Sequence, residues 1–380
     1  MKVTKLSNSV DTKRLLEKLG VDGGGMNILA SKMKQHIIYI SDLHVGAANI
    51  LKQDSLSIGA DLAVPRGTVI ATTKSVDCIL IATQKQLQIL SRKELAQPFG
   101  LKELAYKLKK YTKIEKPNTV EIMGVINANE DSFYEGSRFN SSTVIGQITQ
   151  MIEEGADIID IGAVSSRPNA VVVSAEEELS RVRDIYKIIQ KEELYKAVKF
   201  SCDSYTPAII KLALDSGFSI VNDITGLEDD EICRVCAAYD ATAIIMHMQG
   251  KPQTMQDNPQ YSDVISDVYS FLEARMQKAE SFGVKDIVLD VGVGFGKTVQ
   301  DNLNLIKNLE NFLTLSKPLL VGASRKSMID AISTSKAEER LAGTLALHLE
   351  AVQNGVSMLR VHDVKEHFQA LKVQNALESI

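Results

Sequence analysis

Apolar residues follow two rhythms along this chain, and the change between them divides it. From about residue 118 onward, short aliphatic and β-branched runs recur, each followed by a stretch with helical spacing. The runs are Val120–Ile126, Ile158–Ala163, Val198–Cys202, Ile220–Ile224, Ala243–Met248, Ile287–Val291, Leu319–Ala323 and Met358–Val361. Unbroken apolar runs of this length read as strands buried on both faces, and their alternation with helices implies parallel strands joined by right-handed crossovers. Eight such units in about 260 residues predict a closed (β/α)8 TIM barrel, class α/β, with an open doubly wound sheet as the alternative.

The preceding residues are less regular. Residues 1 to about 35 are polar, with Gly23-Gly24-Gly25 in their middle, which predicts a short helix and a flexible joint. Ile37–Ile40 reads as a strand, Val69–Ala71 and Cys78–Ala82 as further apolar runs, and Leu101–Tyr111 as an amphipathic stretch. Together they predict a small α/β domain over residues 1–112, whose role the sequence does not define. The charged, proline-ended stretch Lys109–Pro117 separates it from a barrel domain over residues 118–380.

Composition narrows the function. An apolar share of 44% supports a large core, while a net charge of -5 and a pI near 5.8 argue against a nucleic-acid binder and leave a small molecule as the expected partner. Four cysteines at 78, 202, 233 and 236 are too scattered for a disulfide framework. No stretch has the pattern of a signal peptide or the length of a membrane span, so a cytoplasmic protein is expected. Cys233-Arg-Val-Cys236 lies in a predicted helix without a second pair or a nearby histidine, and reads as two packed thiols. Asp42-Leu-His44 follows a strand, as at the start of some metallophosphatase sites. The further Asp, Asn and His ligands such a site needs are missing downstream.

A barrel makes a sharp demand, because functional side chains come from the carboxyl ends of many strands. Here those ends carry Asn127, Ser165-Ser-Arg-Pro168, Asp203, Asn222-Asp223, His247, Asp290, Ser324-Arg-Lys-Ser327 and Arg360-Val-His-Asp363. Asp290 leads into a run with glycines at 292, 294 and 296 followed by Lys297, whose spacing matches neither a dinucleotide fingerprint nor a phosphate loop. Two characters separate within the set. Asp203, Asn222 and Asp290 offer acceptors and an amide suited to the donor-rich edge of an amino-substituted heterocycle, while Arg167, Lys326, Arg360 and His362 suit an anion. Lys326-Ser327 and Arg360-Val-His362 occupy the loops that commonly form a barrel's phosphate corner. Asn127 adds a neutral oxygen able to help hold a magnesium ion that keeps most of its waters.

In order along the chain, the motifs resemble those of the dihydropteroate synthase family. They are Met123-Gly-Val-Ile-Asn127 with Asp131-Ser-Phe133, Gly155-Ala-Asp-Ile-Ile-Asp-Ile-Gly162, Ser165-Ser-Arg-Pro168, Val221-Asn-Asp-Ile224, Met246-His-Met-Gln-Gly250, Leu289-Asp290 with Gly294-Phe-Gly-Lys297, Gly322-Ala-Ser-Arg-Lys-Ser327 and Arg360-Val-His-Asp-Val364. The resemblance covers residues 120 to about 375. It implies a homodimeric barrel enzyme that joins 4-aminobenzoate to 6-hydroxymethyl-7,8-dihydropterin diphosphate with Mg2+. It further implies that Asp203, Asn222, Asp290 and Lys326 hold the pterin and that Asn127 meets the metal. Arg167, Arg360 and His362 would meet the diphosphate, and Ser166, Pro168 and Ser327 the aminobenzoate. A methyltransferase acting on a reduced folate would share the pterin site, but the Ser324–Ser327 and Arg360/His362 groups speak for a diphosphate. The chain departs from the family at Ala128-Asn-Glu130, where a proline is usual at the third position, at Ser166 for threonine, and at Val291 for proline. Residues 1 to about 112 lie outside the shared pattern.

Overall fold

The computed structural model describes residues 1–7, 10–128, 141–164 and 173–378. It separates into two compact units, Met1–Ile114 with Asn375–Ile380, and Glu115–Gln374.

In the first unit, β1 (Gln35–His44), β2 (Asp61–Ala63) and β3 (Ser75–Thr83) form an antiparallel sheet in the order β1-β3-β2. Helices α1 (Thr12–Lys18), α2 (Gly23–Met33), α3 (Val45–Ser57), α4 (Gln84–Lys93) and α5 (Leu101–Tyr111) accompany it. Alternate residues Val76, Cys78, Leu80 and Ala82 of β3 are buried in one cluster with Leu51 of α3, Leu87 and Leu90 of α4, and Leu101 and Leu108 of α5. That is period two on the strand meeting helical spacing on the helices. Two expectations need correction. Gly23-Gly24-Gly25 form the first turn of α2, because the Asp22 carboxylate accepts the Gly24 amide at 2.9 Å and caps it. Val69 and Ile70 sit in an exposed 3-10 turn and belong to no strand. His44 begins no metal site: its Nδ1 accepts the Gly46 amide at 3.0 Å as the cap of α3, and its ring stacks on Phe99.

The second unit is the predicted barrel. Strands β4 (Glu121–Asn127), β5 (Ile158–Gly162), β6 (Lys199–Asp203), β7 (Ile220–Asp223), β8 (Thr242–Met246), β9 (Ile287–Asp290), β10 (Leu319–Val321) and β11 (Met358–Val361) are parallel and close in sequence order, β11 pairing with β4. Between them run α6 (Ser141–Glu154), α7 (Ala175–Lys191), α8 (Pro207–Asp215), α9 (Asp230–Ala238), α10 (Val264–Ser281), α11 (Val299–Lys307), α12 (Ser327–Ile332) and α13 (Leu341–Gln353), and α14 (Val364–Glu378) follows β11. Cys233 and Cys236 are free, buried thiols on α9. No described helix is long and apolar enough to cross a membrane.

Strand alternation builds the barrel interior in layers. Met123, Ile158, Ile220, Ile244, Val288, Leu320 and Met358 form a closed apolar cluster, one residue from each of seven strands. Two positions further along the same strands, on the same face, stand Asp160, Asn222, Asp290 and Arg360, with Asp203 two beyond the buried Ser201 of β6. The apolar layer is therefore a floor, and the polar layer lies on its carboxyl-end side.

Candidate active site

Arg360 organises the polar layer. Its Nε donates to Asp160 Oδ2 and its Nη2 to Asp203 Oδ2, both at 2.6 Å. Asn222 Nδ2 donates to the same Asp160 oxygen at 3.2 Å. One guanidinium is thus shared by two carboxylates, and both raise its pKa against the opposing effect of burial. Burial pushes the Asp203 carboxyl up, Arg360 pulls it down, and the charges of Asp160 and Asp223 push it up again. Asp223, adjacent to Asn222, points the other way and does structural work: it accepts the Thr225 amide at 2.7 Å and the Leu227 amide at 3.0 Å.

Asp290 ends β9 beneath the glycine-rich loop. Its Oδ1 accepts the Gly292 amide at 2.8 Å. Burial raises its pKa, while that hydrogen bond and the charges of Lys326, Lys297 and Arg360 lower it. The loop can make this turn only with glycine at 292, where φ is +67° and an added Cβ would collide with the His247 carbonyl oxygen. At Gly294 the Cβ would press on Lys326 Cδ at 3.1 Å, so the absent side chain is what lets the Lys326 stem lie across the loop. Lys326 Nζ stands 4.0 Å from the centre of the Phe295 ring, in cation–π contact.

Lys297 and Asp160 are the site-region residues to which sequence reasoning assigned no role. Lys297 is buried, and its Nζ donates to the carbonyls of Gly292 at 2.8 Å and Phe295 at 3.0 Å and meets His247 Nδ1 at 2.9 Å. Burial pushes its pKa down to about 7, while three acceptors at contact distance favour the ammonium form. His247 is neutral, held down to about 3 by burial and by Lys297, with its ring packed edge-on against Phe271. It supports the loop. The signal for Asp160 was its spacing two residues after Ile158, which puts it on the inner face; for Lys297 it was a lysine closing a run of alternate glycines.

Beside this pocket, the connections after β10 and β11 are tied together. Ser324 Oγ lies 2.9 Å from His362 Nδ1 and accepts the His362 amide at 3.3 Å. Arg325, whose φ is +58°, donates from Nε to Asp363 Oδ2 at 3.1 Å and from Nη2 to Asp363 Oδ1. Lys326 caps α12, and exposed Ser327 is its first residue. Asn127 ends β4, half-buried, with Gly162 as its strand partner. Asp203, Asn222, Asp290 and Arg360 therefore share one polar layer above the floor, and Lys326 borders it through Gly294. His362 belongs to the adjoining pair of loops. Ser166, Arg167 and Pro168 lie outside the described residues.

A closed barrel whose strand ends present carboxylates and an amide beside fixed cations defines an enzyme for a polar heterocycle that carries an anionic group. The family described as pterin binding enzyme matches residues 123–362. A bifunctional dihydropteroate synthase/dihydropteroate reductase of Helicobacter pylori is 42% identical over 99% of both chains. A dihydropteroate synthase of Haemophilus influenzae is 40% identical over 67% of this chain and 93% of its own length. Among solved structures, the dihydropteroate synthase of Thermus thermophilus in complex with 4-aminobenzoate has a TM-score of 0.61 at 37% identity, covering 68% of this chain and 95% of that one. The chain belongs to the pterin binding enzyme family, among the dihydropteroate synthases, the transferases of folate biosynthesis.

Proposed function

We propose that the polar layer holds the pterin ring of 6-hydroxymethyl-7,8-dihydropterin diphosphate and that the loops after β10 and β11 receive its diphosphate for displacement by 4-aminobenzoate. The observation that carries this reading is the placement of the Asp203 and Asp290 carboxylates and the Asn222 amide in one layer with Arg360, one strand step above an apolar floor. The pterin's amino and ring N–H groups meet the carboxylates, and Lys326 donates to a ring acceptor while its stem covers the face. Arg360 remains charged between two carboxylates, which hold its guanidinium in a fixed orientation from which it meets the diphosphate. Ser324 Oγ accepts the His362 amide and lies 2.9 Å from Nδ1, so it fixes the His362 ring beside the loop that receives the anion. From the family resemblance, Arg167 adds charge for the diphosphate, and Ser166, Pro168 and Ser327 take the aminobenzoate.

In the reaction, the bond between the pterin methylene and the bridging oxygen breaks, and its electrons leave with diphosphate. The methylene cation is delocalised into the ring, and the neutral aniline nitrogen attacks it, then loses its proton to water or to the departed anion. A neutral amine needs no strong base, so positioning and electrostatics carry the catalysis. Mg2+ fits Asn127, a neutral oxygen donor at the end of β4. Among the described residues no cluster of three His, Cys, Asp or Glu side chains exists to chelate a metal, so the ion would be met by Asn127 and otherwise by water and phosphate oxygens. Bound there, it supplies charge neutralisation for the leaving group.

The same proposal includes a homodimer and a cytoplasmic site of action, where the buried free thiols stay reduced. Pyrophosphate release from purified full-length chain with Mg2+ and the pterin diphosphate tests the synthase: it is expected only when 4-aminobenzoate is added, and no release with both substrates would reject it. A second activity is proposed for the whole chain. The bifunctional H. pylori relative aligns over 99% of both chains, whereas the H. influenzae synthase covers only 67% of this one. Reduction of 7,8-dihydropteroate to the tetrahydro form takes a hydride from a reduced nicotinamide or flavin and a proton from solvent. Dihydropteroate-dependent oxidation of such a donor by the full chain is the expected result, and its absence with both donors removes the second activity.

A further inference from the structure

Behind the phosphate-side loops, two histidines that the proposed chemistry does not use are buried against each other. His348 lies on α13 and His367 on α14, with ring centres 5.0 Å apart. His348 Nε2 accepts the backbone N–H of Ala323 at 2.9 Å, in the connection leaving β10. His348 Nδ1 meets His367 Nε2 at 2.8 Å, and His367 Nδ1 meets the Asp363 carbonyl oxygen at 2.6 Å.

The two ends of this chain fix every proton in it. Ala323 supplies an N–H, so His348 Nε2 must hold a lone pair, and a neutral ring then carries its proton on Nδ1. That proton can only be donated to His367 Nε2, which leaves the second ring protonated on Nδ1 and donating to the Asp363 carbonyl. A proton added to either ring would set two N–H groups against each other. The result is a one-directional relay of donation from the Ala323 amide, three residues before Lys326, to the Asp363 carbonyl, at the foot of α14.

We propose that His348 and His367 are positioning residues for the pterin diphosphate site, locking the connection that carries Lys326 to the connection that carries His362 and Asp363. Other bonds share the same frame. Thr344, one turn before His348 on α13, accepts the Arg325 amide at 3.0 Å, and Arg325 bridges to Asp363. Both connections are thus gripped by α13 and α14, and the imidazole pair, like Thr344, is buried from water. The inference rests on Lys326 holding the pterin, which Lys326→Ala tests separately.

The direct test needs no mutation. In the full-length protein labelled with 15N-histidine, two of the six imidazoles should show the Nδ1–H tautomer and remain neutral from about pH 8 to about pH 5.5. An Nε2–H tautomer at His348, or a proton taken up by either ring in that range, overturns the relay. Functionally, His348→Leu should weaken pterin diphosphate binding by about tenfold, the cost of releasing the Ala323 amide, with little change in kcat at saturation. His348→Gln, whose amide can accept from Ala323 and donate to His367, should restore most of the affinity. Equal binding by native, Leu and Gln forms overturns the positioning role. If Lys326→Ala also binds like native, the site reading fails with it; if Lys326→Ala alone binds weakly, only the relay fails.

Discussion

Replacing Asp290 by asparagine separates the pterin site from the fold that supports it. The carboxylate has two duties: Oδ1 accepts the Gly292 amide at 2.8 Å, and the group balances the positive charges of Lys326, Lys297 and Arg360. Asparagine keeps an oxygen for the Gly292 amide in nearly the same volume, so the loop keeps its turn. The other oxygen becomes an NH2 that opposes the pterin's own donors. A charge-assisted hydrogen bond is worth about 1.5–3 kcal/mol, so affinity for the pterin should fall roughly tenfold to 150-fold. Asp290→Ala, which also frees the Gly292 amide, should lose about 1–3 kcal/mol of stability in addition. Isothermal titration of the folded variants with pterin diphosphate, paired with urea unfolding, measures both quantities. A dissociation constant for Asp290→Asn within about twofold of native, with unfolding unchanged, would remove Asp290 from the binding set.

Gly292→Ala forces a side chain into the His247 carbonyl at a left-handed backbone position, and should cost about 3 kcal/mol or more, read as a lowered urea midpoint. A native midpoint would mean that the loop moves aside freely. Lys297→Met leaves the carbonyls of Gly292 and Phe295 and the His247 Nδ1 without their donor, so a loss of about 3 kcal/mol is expected. Equal or greater stability would show that burying the amine costs more than its bonds return. Glu94 in the first unit is fully buried, and burial, followed by the charge of Asp54, raises its pKa to about 7. Its folded pKa exceeds the unfolded value near 4.3, so its contribution is complete below that value and is lost as pH rises toward 7, by about 3 kcal/mol. Glu94→Gln should therefore be more stable than native at about pH 8 by calorimetry, and an identical pH profile for the two forms would contradict the assignment.

The barrel was readable because strands buried on both faces leave unbroken apolar runs, and the strand-end polar residues stand out against them. The same logic hid Asp160, a single acid inside Ile158-Ile-Asp-Ile-Gly162 whose inward direction depends on the register of a strand not yet placed. Lys297 was obscured for the opposite reason: a lysine after glycines reads as a surface turn, and only the fold brings three acceptors to it. Gly23-Gly24-Gly25 misled because local propensity favours a joint there, while capping by Asp22 decides for a helix. Arg360 was visible as a cation, but its grip on Asp160 and Asp203 spans three strands and leaves no trace in local spacing. Ser166, Arg167 and Pro168 fall outside the described residues, so their roles rest on the resemblance alone.

The position of Arg360 also sets the order in which a newborn chain can acquire its active site. Its two carboxylate partners lie 200 and 157 residues earlier, on strands synthesised long before it. Until β11 leaves the ribosome, β4 lacks its closing neighbour, and Asp160 and Asp203 face a nonpolar floor without a counter-ion. An unpaired buried charge is costly, so the half-made barrel has reason to stay open and wet at that point. Insertion of the last strand closes the ring and gives the pair its shared counter-ion in one step, a contact of high sequence separation that falls late in folding. A ribosome-stalled chain ending before residue 358 should therefore be held by chaperones, and competence to bind the pterin should arrive with the final turn of synthesis.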